Sequence, residues 1–257
     1  MNRINTLVQD KDKKALSIYF TAGYPELNDT VTIIKTLEKS GVDLIEIGMP
    51  FSDPVADGPV IQHSSEVALK NGMSVQVLFD QLKDIRKEVR IPLILMGYFN
   101  PVLQYGIEDF CKKCQEVGVD GLIVPDLPPE VYHAQYREIF ERYGLINIFL
   151  VTPQTPDSRM HDIDRWSDGF IYMVSSASTT GAKSSIKSDQ EAYFKRMNNL
   201  GLKTPRIIGF GISNKETFDK ACKYSNGAII GSAFVKALQS HGSLKESITS
   251  FIKTIRK

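Results

Sequence analysis

Leu44-Ile45-Glu46-Ile47-Gly48 is a short run rich in β-branched residues, closed by a glycine, and the chain contains seven more like it. They are Ala15-Leu16-Ser17-Ile18-Tyr19-Phe20, Leu93-Ile94-Leu95-Met96, Gly121-Leu122-Ile123-Val124, Ile148-Phe149-Leu150-Val151, Phe170-Ile171-Tyr172-Met173-Val174, Ile207-Ile208-Gly209-Phe210 and Ala228-Ile229-Ile230. Runs that are apolar at nearly every position suit strands buried on both faces of a parallel sheet. Amphipathic stretches at helical spacing separate them, predicted over 30–39, 75–89, 110–117, 136–143 and 218–224. Several of these stop at a glycine: Gly41, Gly118 and Gly144. Eight strands alternating with helices predict an α/β fold, a TIM (β/α)8 barrel. Such a barrel takes about 250 residues, and the 257 of this chain fit one domain over 1–257. A doubly wound sheet is the rival. It would need a glycine-rich phosphate turn after its first strand, where this chain has Thr21-Ala22-Gly23-Tyr24-Pro25.

Thirty-one Lys and Arg against thirty Asp and Glu leave a net charge of +1. That balance supplies no field to attract nucleic acid or an anionic membrane. No apolar run approaches the roughly 20 residues of a membrane span, and Met1-Asn2-Arg3-Ile4-Asn5 has no apolar signal core behind its charge. The expectation is a cytoplasmic globular protein. Cys111 and Cys114 are spaced C-x-x-C inside a helix-like segment with no second pair, and Cys222 is remote. His63, His133, His161 and His241 lack zinc-ligand spacing. Reduced thiols and no metal are expected.

Glu46 is the anomaly in its strand. The period of two puts Leu44, Glu46 and Gly48 on one face and Ile45 and Ile47 on the other. With the isoleucines against the helices, Glu46 points into the barrel, where an unpartnered carboxylate costs several kcal/mol. Two readings follow: a salt bridge that stabilises the barrel, or a general acid/base with a raised pKa. Eleven residues on, Asp57 is displayed from Met49-Pro50-Phe51-Ser52-Asp53-Pro54-Val55-Ala56-Asp57-Gly58-Pro59. Three prolines stiffen this loop, so its aspartates are either turn caps or groups held toward the mouth and a partner. The connections over 49–74 and 175–188 are longer than a usual βα loop, and binding parts sit in such loops.

Glycine-bearing segments follow the late strands: Ser178-Thr179-Thr180-Gly181, Gly209-Phe210-Gly211-Ile212-Ser213 and Gly231-Ser232-Ala233. Backbone amides there, with a helix start, can cradle a phosphate, and barrels often bind phosphate after strands seven and eight. Tyr172 shares a face with Phe170 and Val174; it is either a core tyrosine or a hydroxyl near the mouth.

The sixteen residues of 44–59 closely resemble the signature of the tryptophan synthase α chain. The likeness continues through Phe20-Thr21-Ala22-Gly23-Tyr24-Pro25, Gly97-Tyr98-Phe99-Asn100-Pro101, Pro125-Asp126-Leu127-Pro128, Gly209-Phe210-Gly211-Ile212-Ser213 and Gly231-Ser232-Ala233. It implies a lyase that cleaves indole-3-glycerol phosphate to indole and glyceraldehyde 3-phosphate, in tryptophan biosynthesis. It makes Glu46 and Asp57 the catalytic carboxylates, puts Gly181, Gly211, Gly231 and Ser232 at the phosphate, and sets Tyr172 beside the substrate. It also implies an α2β2 heterotetramer with a β chain. Pyridoxal phosphate belongs to that β chain and no cofactor to this one.

One departure stands out. Many members of the family have Ser-Arg-x-Gly-Val-Thr-Gly in the lid loop after strand six. This chain reads Ser175-Ser176-Ala177-Ser178-Thr179-Thr180-Gly181, without the arginine and the first glycine. Thr180 is retained, and the resemblance implies a lid contact from it to Asp57. Pro50, Phe51 and Asp53 are the candidate contacts to the β chain; otherwise Phe51 packs inward and Asp53 only caps a turn. Two other functions compete with the lyase: another phosphate-binding barrel enzyme, and a non-catalytic activator of the β chain.

Overall fold

Nine parallel strands form one sheet: β1 (Ala15–Thr21), β2 (Leu44–Gly48), β3 (Leu93–Met96), β4 (Gly121–Ile123), β5 (Ile146–Asn147), β6 (Leu150–Val151), β7 (Ile171–Val174), β8 (Arg206–Gly209) and β9 (Gly227–Ile230). The computed structural model describes residues 2–10, 13–175, 188–209, 211–240 and 242–257. The strand order is β5-β4-β3-β2-β1-β9-β8-β7-β6, so the first and last strands of the chain pair with each other. The fifth predicted strand, 148–151, is instead two short pieces, β5 and β6, starting two residues earlier. Its middle bonds both ways: Ile148 N–H donates to Leu122 O at 2.9 Å, and Phe149 O accepts from Tyr172 N–H at 2.9 Å. Counted as one interrupted stave, it joins β4 to β7 and closes an eight-stave barrel.

The period-two alternation separates two apolar layers. Ile45, Ile47, Leu93, Leu95, Leu122, Ile171, Met173, Ile208, Ala228 and Ile230 pack outward against the helices. Leu44, Ile94, Ile123, Ile146, Ile148, Phe170, Tyr172, Ile207 and Ile229 fill the barrel interior. Burial of one such aliphatic side chain contributes about 1.5–3 kcal/mol, so a slip of one residue in any strand would exchange the layers.

Helices depart from the sequence expectation in several places, two of them between β2 and β3. The connection over 49–74 is only partly a loop, because Pro59–Lys70 is a helix. Pro59 supplies the φ of a first helical residue, and Ile61, Ser64, Ser65 and Ala68 give it a buried stripe. The predicted helix over 75–89 ends at Leu82 and is followed by one tight turn, Ile85–Lys87. That turn aims Arg86 inward, where its guanidinium donates to Gly118 O (2.6 and 2.8 Å), Ile91 O (2.7 Å) and the Asp120 carboxylate (2.6 Å). Gly118 ends helix Ile107–Val117 in the left-handed region, as its position predicts. Cys111 and Cys114 lie on the buried side of that helix.

A short helix absent from the sequence expectation, Arg3–Gln9, crosses the N-terminal ends of the strands. Ile4 and Val8, with Leu7, join the interior cluster. Asn2 donates to Asp120 O (2.7 Å) and Gly144 O (2.9 Å), and Arg3 pairs with the buried Asp120 at 2.8 Å. This helix is the floor of the barrel.

Candidate active site

Strand β2 presents Glu46 to the interior, as the alternation requires, and its side chain is fully buried. Ser17 on neighbouring β1 donates its hydroxyl to Glu46 Oε1 at 2.8 Å. Oε2 is buried and has no hydrogen-bond partner among the described residues. Among the described residues no cation balances the group: the shift arises first from burial, opposed by the Ser17 hydrogen bond, and the carboxyl is pushed up to about 8. Burial thus favours the protonated carboxyl, and no described residue forms the ion pair that the salt-bridge reading requires.

Asp57 lies in the rigid loop after β2, at its rim. Burial pushes its carboxyl up, and the Tyr98 hydroxyl, donating to Oδ2 at 3.2 Å, holds it back. The same Tyr98 oxygen accepts from Ala56 N–H at 2.9 Å, so one phenol grips the loop at two adjacent residues. Tyr98 caps helix Phe99–Tyr105 after β3, and Phe99 N–H in turn donates to the Asp126 carboxylate (2.9 and 3.2 Å) in the turn after β4. Three successive βα turns are thus tied together around Asp57.

Glu46 and Asp57 act on the same pair of phenols. The charges of both act on Tyr19 and on Tyr172, whose phenols are pushed well above the usual value, first by burial. Tyr19 on β1 is the register partner of Glu46, and its ring covers Gly48. The Tyr172 ring covers Gly209 across the β7–β8 pair in the same way, and at either glycine a Cβ would collide with the phenol. Tyr172 is buried, with its hydroxyl against Gly209 at the C-terminal end of β8.

Gly211 has φ +76° and faces Ser175, whose Oγ would lie 3.7 Å from a Cβ there. Gly231 touches Tyr19, whose ring would lie 3.6 Å from a Cβ. It precedes helix Ser232–Ala237, where Phe234 and Val235 N–H return to Gly231 O; the amides of Ser232 and Ala233 come before any intrahelical acceptor. Strands β8 and β9 pair, so the turns carrying Gly211 and Gly231 are neighbours on the same rim. Gly181 and Thr180 lie outside the described residues.

Pro50 and Phe51 are half-buried, and Asp53 is exposed. Phe51 packs on Tyr98 with ring centroids 5.1 Å apart, so it is a brace for the loop as well as part of its outer face. Asp53 accepts from the Ser52 hydroxyl at 2.6 Å, and Val55 beside it is 85% exposed.

The sequence reading gave no role to Ser17, Tyr19 or Tyr98. For the first two a signal existed: Ser17, Tyr19 and Thr21 alternate with Leu16, Ile18 and Phe20, a polar face in phase with Glu46 on the adjacent strand. For Tyr98 there was none, since only the folded loop brings it to Asp57.

The sequence profile of the tryptophan synthase alpha chain matches residues 6–256. The tryptophan synthase alpha chain of Flavobacterium johnsoniae is 66% identical over 256 residues, covering 100% of both chains. That of Christiangramia forsetii is 64% identical, covering 100% of this chain and 99% of the relative. Among solved structures, tryptophan synthase subunit alpha from Legionella pneumophila superposes with a TM-score of 0.90 at 34% identity, covering 100% of this chain and 97% of that one. A chain of the tryptophan synthase complex from Pyrococcus furiosus does so at 0.85 and 33%, covering 94% and 97%. A closed parallel barrel whose sequence is matched from end to end by these curated relatives, the chain belongs to the tryptophan synthase alpha chain family.

Proposed function

We propose that the chain cleaves indole-3-glycerol phosphate to indole and glyceraldehyde 3-phosphate, with Glu46 as acid/base and Asp57 as the carboxylate on the indole nitrogen. The observation that carries this reading is the setting of Glu46: fully buried, held at Oε1 by Ser17 and with Oε2 free of any described partner, a burial that pushes its carboxyl up. Breaking the bond between the indole ring and the glycerol carbon requires a proton on that ring carbon, to turn the ring into a leaving group. It also requires loss of the proton on the neighbouring glycerol hydroxyl, so that the hydroxyl carbon becomes the aldehyde. Glu46 Oε2–H gives the first proton, and the resulting carboxylate takes the second, so the enzyme ends as it began. Asp57 accepts the indole N–H and offsets the positive charge that develops on the protonated ring. The Tyr98 hydrogen bond favours its charged form.

Tyr172 borders the substrate. Gly211, Gly231 and Ser232 offer backbone amides to the phosphate, and Gly181 completes that cradle. The family resemblance assigns Thr180 to the lid of this site. Pro50, Phe51 and Asp53 form the contact to a β chain, supported by a loop stiffened by proline and by the outward Asp53 and Val55. The assembly is an α2β2 heterotetramer in the cytoplasm, with pyridoxal phosphate in the β chain and none in this one. No helix among the described residues is long and apolar enough to cross a membrane.

The test is indole release from indole-3-glycerol phosphate, with and without a β chain. Glu46→Gln and Asp57→Asn should each lose about a thousandfold or more in kcat with substrate binding retained. Wild-type turnover in either variant would overturn the assignment.

A further inference from the structure

Ser17 is fully buried in the barrel interior and sits on β1, where residues 15–18 pair with β9 and residues 17–21 with β2, so Ser17 lies between both neighbours. The hydroxyl finds one described partner, Glu46 Oε1, at 2.8 Å. A serine hydroxyl has a single proton to donate, and here it goes to one of two chemically equivalent carboxyl oxygens. That bond breaks the equivalence. Oε1 accepts whether Glu46 is charged or neutral, so when the carboxyl is protonated the proton resides on Oε2. The bond also fixes the last torsion of the glutamate, a broad and soft rotation in the absence of a partner. A flexible carboxyl would present the proton in many directions; a pinned one presents it in one.

We propose that Ser17 is a positioning residue for the lyase reaction: its hydroxyl holds Glu46 Oε1 so that Oε2 carries the transferred proton toward the substrate. This rests on the function proposed above and assigns a part of the machinery that lies on a different strand from either acid. Among the described residues, the titratable groups that feel Glu46 are Tyr19 on β1 and Tyr172 on β7, and Asp57 in the loop after β2 acts on the same two phenols. Tyr19 and Tyr172 are held neutral by burial, and no described cation stands among them. Ser17 is therefore the group that favours the charged form of Glu46, against burial.

The test uses Ser17→Ala and Ser17→Cys in the full chain, with a β chain present. Two readouts are needed: the pH dependence of kcat, and the titration of the Glu46 side chain followed by carboxyl-carbon NMR, its resonance identified by its absence in Glu46→Gln. Both variants should keep KM and lose about tenfold in kcat, and the Glu46 midpoint should rise by about one pH unit, the scale of one hydrogen bond to the charged form. A kcat loss with an undisplaced midpoint would mean that Ser17 only fills space, and would overturn the proposal, as would wild-type values of both. A displaced midpoint in a chain whose wild type releases no indole would bring down the lyase reading alone, since the Ser17–Glu46 bond would then be verified without it.

Discussion

The Tyr19 hydroxyl stands where a side chain on Gly48 would begin, so these two residues on adjacent strands share one volume. In Gly48→Ala the new Cβ would lie 2.6 Å from Tyr19 Cζ and 2.8 Å from Cε2, well inside contact distance, and the phenol must swing away from its place beside β2. We expect a stability loss of about 1–3 kcal/mol from the overpacking, accompanied by a larger proportional loss in kcat/KM. A double-mutant cycle with Tyr19→Ala, read by urea unfolding, should show strong coupling. Additive effects would mean that the ring is not held over Gly48.

Glu46 makes stability fall as pH rises. Its folded-state carboxyl titrates near 8 and the free residue near 4.5, so between those values the folded chain binds more protons than the unfolded one. Folding is then progressively disfavoured across that window and levels off above it, by an amount on the order of a few kcal/mol. Glu46→Gln, which cannot ionise, should remove this slope and melt higher than wild type at pH 8.5. Melting curves of the two proteins from pH 5 to 9 check it; parallel curves would refute the buried-acid description.

Tyr98→Phe deletes the hydroxyl that donates to Asp57 at 3.2 Å and accepts from Ala56 N–H at 2.9 Å. With the bond to the charged form gone, burial acts on Asp57 unopposed and its carboxyl titrates higher. The acidic limb of the kcat/KM profile should move to higher pH, with a loss of about tenfold at neutral pH. An unmoved limb would show that Tyr98 braces the loop without acting on the carboxylate.

Asp120 serves as a contrast at the opposite end of the barrel. Its buried carboxylate receives Arg86 at 2.6 Å, Arg3 at 2.8 Å and the Leu93 N–H at 2.8 Å. Asp120→Ala strands the half-buried Arg86 guanidinium and that amide, for about 3 kcal/mol; the more exposed Arg3 adds little. Turnover per folded molecule should stay at the wild-type level, which denaturant midpoints and kcat measured together would establish.

The alternation in Leu44–Gly48 was enough to orient Glu46, because a parallel strand between a helix layer and a barrel interior has only two faces and the isoleucines claim one. The same rule, applied to Ser17-Ile18-Tyr19-Phe20-Thr21, contained Ser17 and Tyr19, but polar residues in a strand do not announce which neighbour they bond. Helix Arg3–Gln9 escaped because its apolar stripe of Ile4, Leu7 and Val8 is shorter than two turns and gains its stability from docking on the strands. The break between β5 and β6 is equally invisible, since nothing in the apolar run Ile148-Phe149-Leu150-Val151 marks an interruption. The Tyr98–Asp57 contact joins residues 41 apart through loops whose paths no periodicity encodes.

The floor laid by Arg3–Gln9 makes the reaction chamber a dead end. Below Glu46 the axis is filled by Leu44, Ile94, Ile123, Ile146, Ile207 and Ile229 and stopped by Ile4 and Val8, so nothing the size of an indole can drain downward. Whatever is released above Oε2 has to exit past Tyr19, Tyr172 and the Asp57 turn, and anything seated over that opening would receive the product directly, ahead of bulk water.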